Sequence, residues 1–165
     1  EIDLDDLDPG VAQGWLLQHG VLGEGRRLRD IVGADLYART GVASEHVGIP
    51  VEMLDRFEPW TAALTLVQLQ YTALGYEPDA GIEQQIEVAA QRDGKPVRGL
   101  ETLDEQLGAL DGLSYADQSR FLAMTVDELD TMDEETDQLL AAWRAGDSRR
   151  HLRNGVRASW AVSCS

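Results

Sequence analysis

The stretch Gly94 to Gln106, read Gly-Lys-Pro-Val-Arg-Gly-Leu-Glu-Thr-Leu-Asp-Glu-Gln, constrains this chain most, because it hands a strand-like step directly to a capped helix. Pro96 suits the first residue of a strand, where a missing N–H costs little, and Val97 with Leu100 supplies a short apolar run. Thr102 stands three residues before Glu105, the spacing of a capping box, and Leu103, Leu107 and Leu110 follow as the apolar stripe of the helix it starts. Glu101 therefore falls at a strand-to-helix junction. Ligands and catalytic groups collect at the carboxyl ends of strands in α/β proteins, so Glu101 is a candidate catalytic carboxylate. The commoner role for such a residue is structural, as a partly solvated acid favouring the positive end of a helix by about 0.3–1 kcal/mol.

A chain of 165 residues suits one domain with a real core. Aspartate and glutamate number 30 against 14 lysines and arginines, and a net charge of −16 opposes general electrostatic attraction to nucleic acid or to an anionic membrane. Cys164 is the only cysteine, which excludes an internal disulfide and a thiolate metal cluster. The longest mostly apolar stretch, Thr61 to Leu74, is interrupted by Gln68 and Gln70 and falls short of the ~20 residues that span a bilayer. The first residues have neither a basic nor an apolar signal region, so the chain reads as starting mid-protein.

In chain order, Glu1 to Leu4 alternate polar and apolar and read as the end of a strand. Trp15, Leu16, Leu17 and Leu22 mark a short helix ending near Gly20 to Gly25. Leu28, Ile31, Val32, Leu36 and Tyr37 predict a second helix ending at Gly41, with a third short one carrying Val42 and Val47 before Gly48-Ile49-Pro50. Val51 to Phe57 is weakly helical. Pro59 fits the first turn of a core helix whose Leu64, Val67, Tyr71 and Leu74 share a face, with Gly75 as its stop. Asp79 is a plausible cap for a helix carrying Ile82, Ile86, Ala89 and Ala90, which Gly94 ends. Ser114 and Asp117 form a second capping pattern ahead of Phe121, Leu122, Val126, Leu129 and Met132. Leu139, Leu140 and Trp143 continue that stripe, as two helices broken near Asp130 to Glu134 or as one long helix, with two favoured on length.

The fold class read from this pattern is mainly α with two short β-strands, near residues 1–4 and 96–100, as a segment of an α/β fold. Residues 1–147 form its helical portion. Residues 148–165, rich in arginine and without periodicity, read as an irregular, disordered or aberrant tail.

Catalytic motifs are sparse. His19, His46 and His151 stand far apart, with no His-x-x-x-His or related metal spacing. Gly23-Glu24-Gly25 reads as a turn, because no phosphate-binding continuation follows it. Asp133, Glu134, Glu135 and Asp137 lack calcium-loop spacing and read as a solvated helix face. Ser44, Ser114 and Ser119 lack a Gly-x-Ser-x-Gly setting.

The order of several of these motifs resembles the TraB/GumN family. Pro59-Trp60 opens the core helix and Gly75-Tyr76 closes it; Gly81-Ile82-Glu83, Gly94-Lys95-Pro96-Val97 and Leu100-Glu101-Thr102 with Gln106 follow in order. Ala142-Trp143 and Gly146-Asp147 extend the likeness to residue 147, and Leu-Glu-Thr with its following glutamine is its most specific part.

The resemblance implies an α/β protein related to Tiki-type metalloproteases and, more distantly, to erythromycin esterases. In that group two Gly-x-x-His motifs are associated with hydrolysis that depends on a divalent metal, with peptides or proteins as substrates. Neither motif occurs in this sequence. The family's acidic residue on the strand after the first motif matches Glu1, which makes Glu1 a candidate metal ligand or base. The chain alone is then expected to hold no cofactor and to be inactive, and the family points to an extracytoplasmic or membrane-associated setting such as the periplasm. The alternative is a non-catalytic helical interaction module, in which the apolar surface around Leu64 to Leu74 meets a partner protein or a second copy.

Overall fold

The computed structural model describes residues 9–76, 81–97 and 102–146, with side chains from residue 14 onward except those of 83 and 84. Among the described residues six α-helices follow one another: α1 (Pro9–His19), α2 (Leu28–His46), α3 (Pro59–Ala73), α4 (Ile82–Arg92), α5 (Leu103–Asp111) and α6 (Tyr115–Arg144). A 3-10 turn, Val51–Leu54, lies between α2 and α3.

Two compact units divide the chain, Glu1–Val126 and Asp127–Ser165. In the first, α2 packs against α3 and against the 3-10 turn. Leu28 and Leu36 of α2, Leu54 of the turn, Trp60, Ala62, Ala63 and Leu66 of α3, and Leu122 of α6 are buried there. Burying each large apolar side chain contributes about 1.5–3 kcal/mol, so the α2–α3 seam dominates this core. In the second unit the described structure is the remainder of α6, with Leu129 and Ala142 buried and the acidic positions from Asp127 to Asp137 exposed.

Local chemistry accounts for the helix ends. Pro59 stands at the first position of α3, after an extended Glu58, where no N–H is needed. At the other end Gly75 takes φ 83°, the Tyr76 N–H donates to Tyr71 O at 3.0 Å and the Gly75 N–H to Thr72 O at 3.0 Å, a Schellman ending. Gly94 closes α4 the same way, with Lys95 N bonded to Ala90 O at 2.8 Å. The Thr102 hydroxyl accepts from Glu105 N at 3.1 Å while the Glu105 carboxylate accepts from Thr102 N at 2.9 Å, the reciprocal capping box expected for α5. Ser114 Oγ accepts from Asp117 N at 3.2 Å and starts α6.

Several expectations are corrected. The described residues contain no β-strand, so the two-strand reading does not hold: the structure is helical, and Lys95 to Val97 are irregular chain. Residues 1–4 and 98–100 lie outside the described residues. A strand needs a partner for its backbone groups, and the pairing that forms is an isolated antiparallel bridge, Val21 to Phe57, in segments without strand patterning.

Gly41 does not end α2, which continues to His46; the interruption is instead at Gly33, with φ 79° and ψ 168°. No break occurs between Asp130 and Glu134, because nothing there withholds an N–H or demands a positive φ; α6 runs on, with Gln138 Nε2 donating to Glu134 Oε1 at 3.0 Å. The apolar positions expected on one side of α4 are uncovered, Ile82 at 67% and Ile86 at 63% exposure. Leu103, Leu107 and Leu110 of α5 are half-buried. Asp79, Asp147 and the tail 148–165 lie outside the described residues.

Candidate functional site

The densest polar chemistry lies where two irregular segments, Gly20 to Leu28 and Asp55 to Glu58, run side by side. Backbone bonds fix them: Glu58 N to Gly20 O at 2.9 Å, Leu22 N to Arg56 O at 2.8 Å and Leu28 N to Asp55 O at 3.0 Å. Close approach is built in at Gly20, where a Cβ would come 2.5 Å from Thr61 Oγ1 and 2.9 Å from Leu16 O.

Each end of this clamp carries a carboxylate held by a tyrosine and a nitrogen donor. Asp55, 6% exposed, accepts from the Tyr37 hydroxyl at 2.9 Å and from Arg27 Nη1 at 3.0 Å. Glu58 accepts from the Tyr115 hydroxyl at 3.1 Å and from Gln118 Nε2 at 2.9 Å. Arg26 lies over the Tyr115 ring, its guanidinium carbon 5.9 Å from the centroid. Burial, then the hydrogen bond to Asp55 and that carboxylate's charge, push the Tyr37 hydroxyl up to about 12, so it is a donor throughout the neutral range.

The orientation of Gln118 follows from its partners: a carboxylate accepts only, so the amide nitrogen faces Glu58 and also donates to Leu113 O at 3.3 Å. Its Oε1 is left buried without a hydrogen-bond partner in the protein, as is the indole N–H of the fully buried Trp60.

A second cluster joins α1 to α5. Trp15 Nε1 donates to Asp104 Oδ1 at 2.9 Å, the His19 ring stacks on Trp15 with centroids 4.3 Å apart, and His19 Nδ1 lies 3.6 Å from Asp111 Oδ2. Trp15 also meets the edge of Trp60 at 6.1 Å.

Glu1 and Glu101, the carboxylates singled out in the sequence, both lie outside the described residues. Among the described residues no three histidine, cysteine or acidic side chains gather as a metal site. His46 is exposed at the end of α2, and Gly23 to Arg26 form the turn expected of them, closed by Arg26 N to Gly23 O at 3.2 Å.

Sequence reasoning missed Asp55, Glu58 and their tyrosines. Periodicity does not connect Arg27 with Asp55 or Glu58 with Gln118; the available signal was two acids flanking Arg56-Phe57 just before a helix-starting proline.

No curated protein and no solved structure matches the chain. The model of the TraB/PrgY/gumN family matches residues 1–159, nearly the whole sequence. By that match the chain, with its clamp of paired carboxylates at the start of α3, belongs to the TraB/PrgY/gumN family.

Proposed function

We propose that this chain is the helical part of a TraB/GumN-type hydrolase that depends on a divalent metal, is related to the Tiki-type metalloproteases and acts on peptide bonds in an extracytoplasmic setting. The single observation that carries the reading is the family match over residues 1–159. In this reading Glu1 is the chain's contribution to the metal, and Glu101 is a catalytic carboxylate at the entry to α5. The described helices supply the scaffold. Asp55 and Glu58 are engaged by tyrosine, arginine and glutamine donors and belong to that scaffold. Without Gly-x-x-His motifs the chain by itself does not hydrolyse substrate.

The test has two parts. Calorimetric titration of the chain with zinc, manganese or cobalt is expected to give no tight one-to-one binding, and such binding would overturn its proposed inactivity alone. The product of the complete open reading frame is expected to cleave peptides in a chelator-sensitive way, with Glu1→Gln lowering metal affinity or activity about 10–100-fold. Hydrolysis indifferent to chelator and to Glu1→Gln would end the metallohydrolase reading.

A second reading, a helical interaction module that binds a partner protein or a second copy, is favoured by the uncovered Ile82 and Ile86 on α4 and by Tyr71, 43% exposed at the end of α3. No described helix is long and apolar enough to cross a membrane, so this surface is not that of a spanning segment. Sedimentation across a range of concentrations reads it directly: association weakened by Ile86→Asp supports the module, and a strict monomer removes the self-association form of it.

A further inference from the structure

From Leu122 onward α6 carries a row of positions at alternating intervals of three and four: Leu122, Thr125, Leu129, Met132, Thr136, Leu139 and Trp143. That 3.5-residue period, held for three heptads, is the pattern of a seam between paired helices. Cover falls away along it. Leu122, Thr125 and Leu129 are buried, Met132, Thr136 and Leu139 are half-buried, and Trp143 is 71% exposed. Among the described residues of the unit Asp127–Ser165, α6 has no second helix beside it.

The borders of the seam are of one sign. Seven acids stand between Asp127 and Asp137, and no base stands between Arg120 and Arg144. By heptad position Asp133 borders the seam on one side, and Glu128 with Glu135 on the other. Like charges one turn apart, such as Asp130 and Glu134, weaken the helix that carries them, and a cationic neighbour reverses that effect. A second copy does the opposite. Parallel pairing sets Asp133 against Glu128 of the copy, and antiparallel pairing sets Asp133 against Asp133, so either orientation opposes acid to acid.

We propose that the C-terminal half of α6 is a docking face for a basic amphipathic helix of another protein. The apolar stripe of that helix covers the seam from Met132 to Trp143, and its lysines and arginines lie against the bordering acids. Docking here involves neither Ile82 and Ile86 nor a metal, so it stands or falls apart from both readings above.

Fluorescence anisotropy on the full chain tests it. The probe is a labelled peptide of about three heptads, with leucine at the seam positions, lysine beside them and glutamine elsewhere. A second peptide of the same composition has its leucines scattered around the helix, so it keeps the charge and loses the stripe. The striped peptide is expected to bind at least about 10-fold more tightly than the scattered one. Trp143→Gln leaves the charge unchanged and alters an exposed side chain, and it should weaken the striped peptide about 10-fold. Glu128→Gln combined with Glu135→Gln should weaken it several-fold at about 50 mM salt and much less at about 500 mM, where surface charges are screened. Equal binding of the two peptides would reduce the effect to net charge and overturn the proposal. So would absence of binding, parent-like affinity in Trp143→Gln, or unchanged low-salt affinity in the doubly neutralised chain.

Discussion

The hydroxyl of Tyr37 donates to Asp55 Oδ1 at 2.9 Å, and this bond ties the middle of α2 to the loop that leads into α3. Arg27 Nη1 occupies the other carboxylate oxygen at 3.0 Å, so Asp55, though nearly buried, keeps both oxygens satisfied. A buried carboxylate is tolerated only under such pairing. The bond also explains the run of the backbone: Leu28 N donates to Asp55 O, so one residue anchors α2 through main chain and side chain together.

That anchor has a pH signature. The Tyr37 hydroxyl is raised from 10.0 to about 12, chiefly by burial, with the hydrogen bond to Asp55 next. The folded state therefore holds its proton longer than the unfolded chain does. The contribution is fully present below about pH 10 and is lost as pH rises toward 12. Urea midpoints of the parent should fall through this window more steeply than those of Tyr37→Phe, which is already weaker at neutral pH. Parallel curves would show that Tyr37 ionises in the folded protein as it does in the unfolded one.

Gly33 interrupts α2 one turn before Tyr37. Its φ of 79° and ψ of 168° lie in a region that side chains other than hydrogen do not adopt without strain, and a Cβ there would meet nothing within 4 Å. Gly33→Ala should thus cost about 1–3 kcal/mol from backbone strain alone. Chemical denaturation measures it. A neutral result would mean that α2 passes straight through position 33, displacing the Tyr37 hydroxyl from Asp55.

The same residues show what a sequence discloses. Pro59, Gly75, Gly94, and the pairs Thr102–Glu105 and Ser114–Asp117 act on neighbours a few positions away, so their local chemistry is visible in the chain and reappears in the helix ends. Gly33 and Gly41 look alike in sequence, yet the first takes a positive φ and the second lies within the helix with Val51 Cγ1 3.8 Å from where its Cβ would be. Which glycine interrupts α2 depends on where Asp55 and Val51 stand, and that is tertiary information. The strand reading at Pro96-Val97 went astray for a related reason, since apolar alternation does not state whether a partner edge exists. The two clamped carboxylates were illegible because their partners lie far off in sequence, 57 residues for Tyr115 and 60 for Gln118.

Glu58 joins the start of α3 to the first turns of α6 through Tyr115 and Gln118. A double-mutant cycle on Glu58→Gln and Tyr115→Phe should give a coupling of about 1.5–3 kcal/mol, the range for a hydrogen bond to a charged acceptor. Equilibrium unfolding of the four proteins supplies the cycle. Additive effects would show that the 3.1 Å contact carries no energy of its own.

The capping box of α5 makes the last prediction, in the acid range. The Glu105 carboxyl is held below the usual carboxylate range first by the Thr102 backbone N–H and then by its hydroxyl. A depressed value means that the stabilisation is present above the ordinary 4.5 and is lost as pH falls through the folded-state value. Protection of the Gln106 amide, which bonds to Thr102 O at 3.0 Å, should accordingly fall on acidification in the parent chain. In Glu105→Gln that amide should be less protected at neutral pH and nearly insensitive to acid. Thr102→Ala removes the hydroxyl but leaves the backbone donor, so it should cost about 1 kcal/mol and retain part of the acid response. An acid response of full size in Glu105→Gln would place the titrating group elsewhere, with Asp104 of the same helix turn the next to replace.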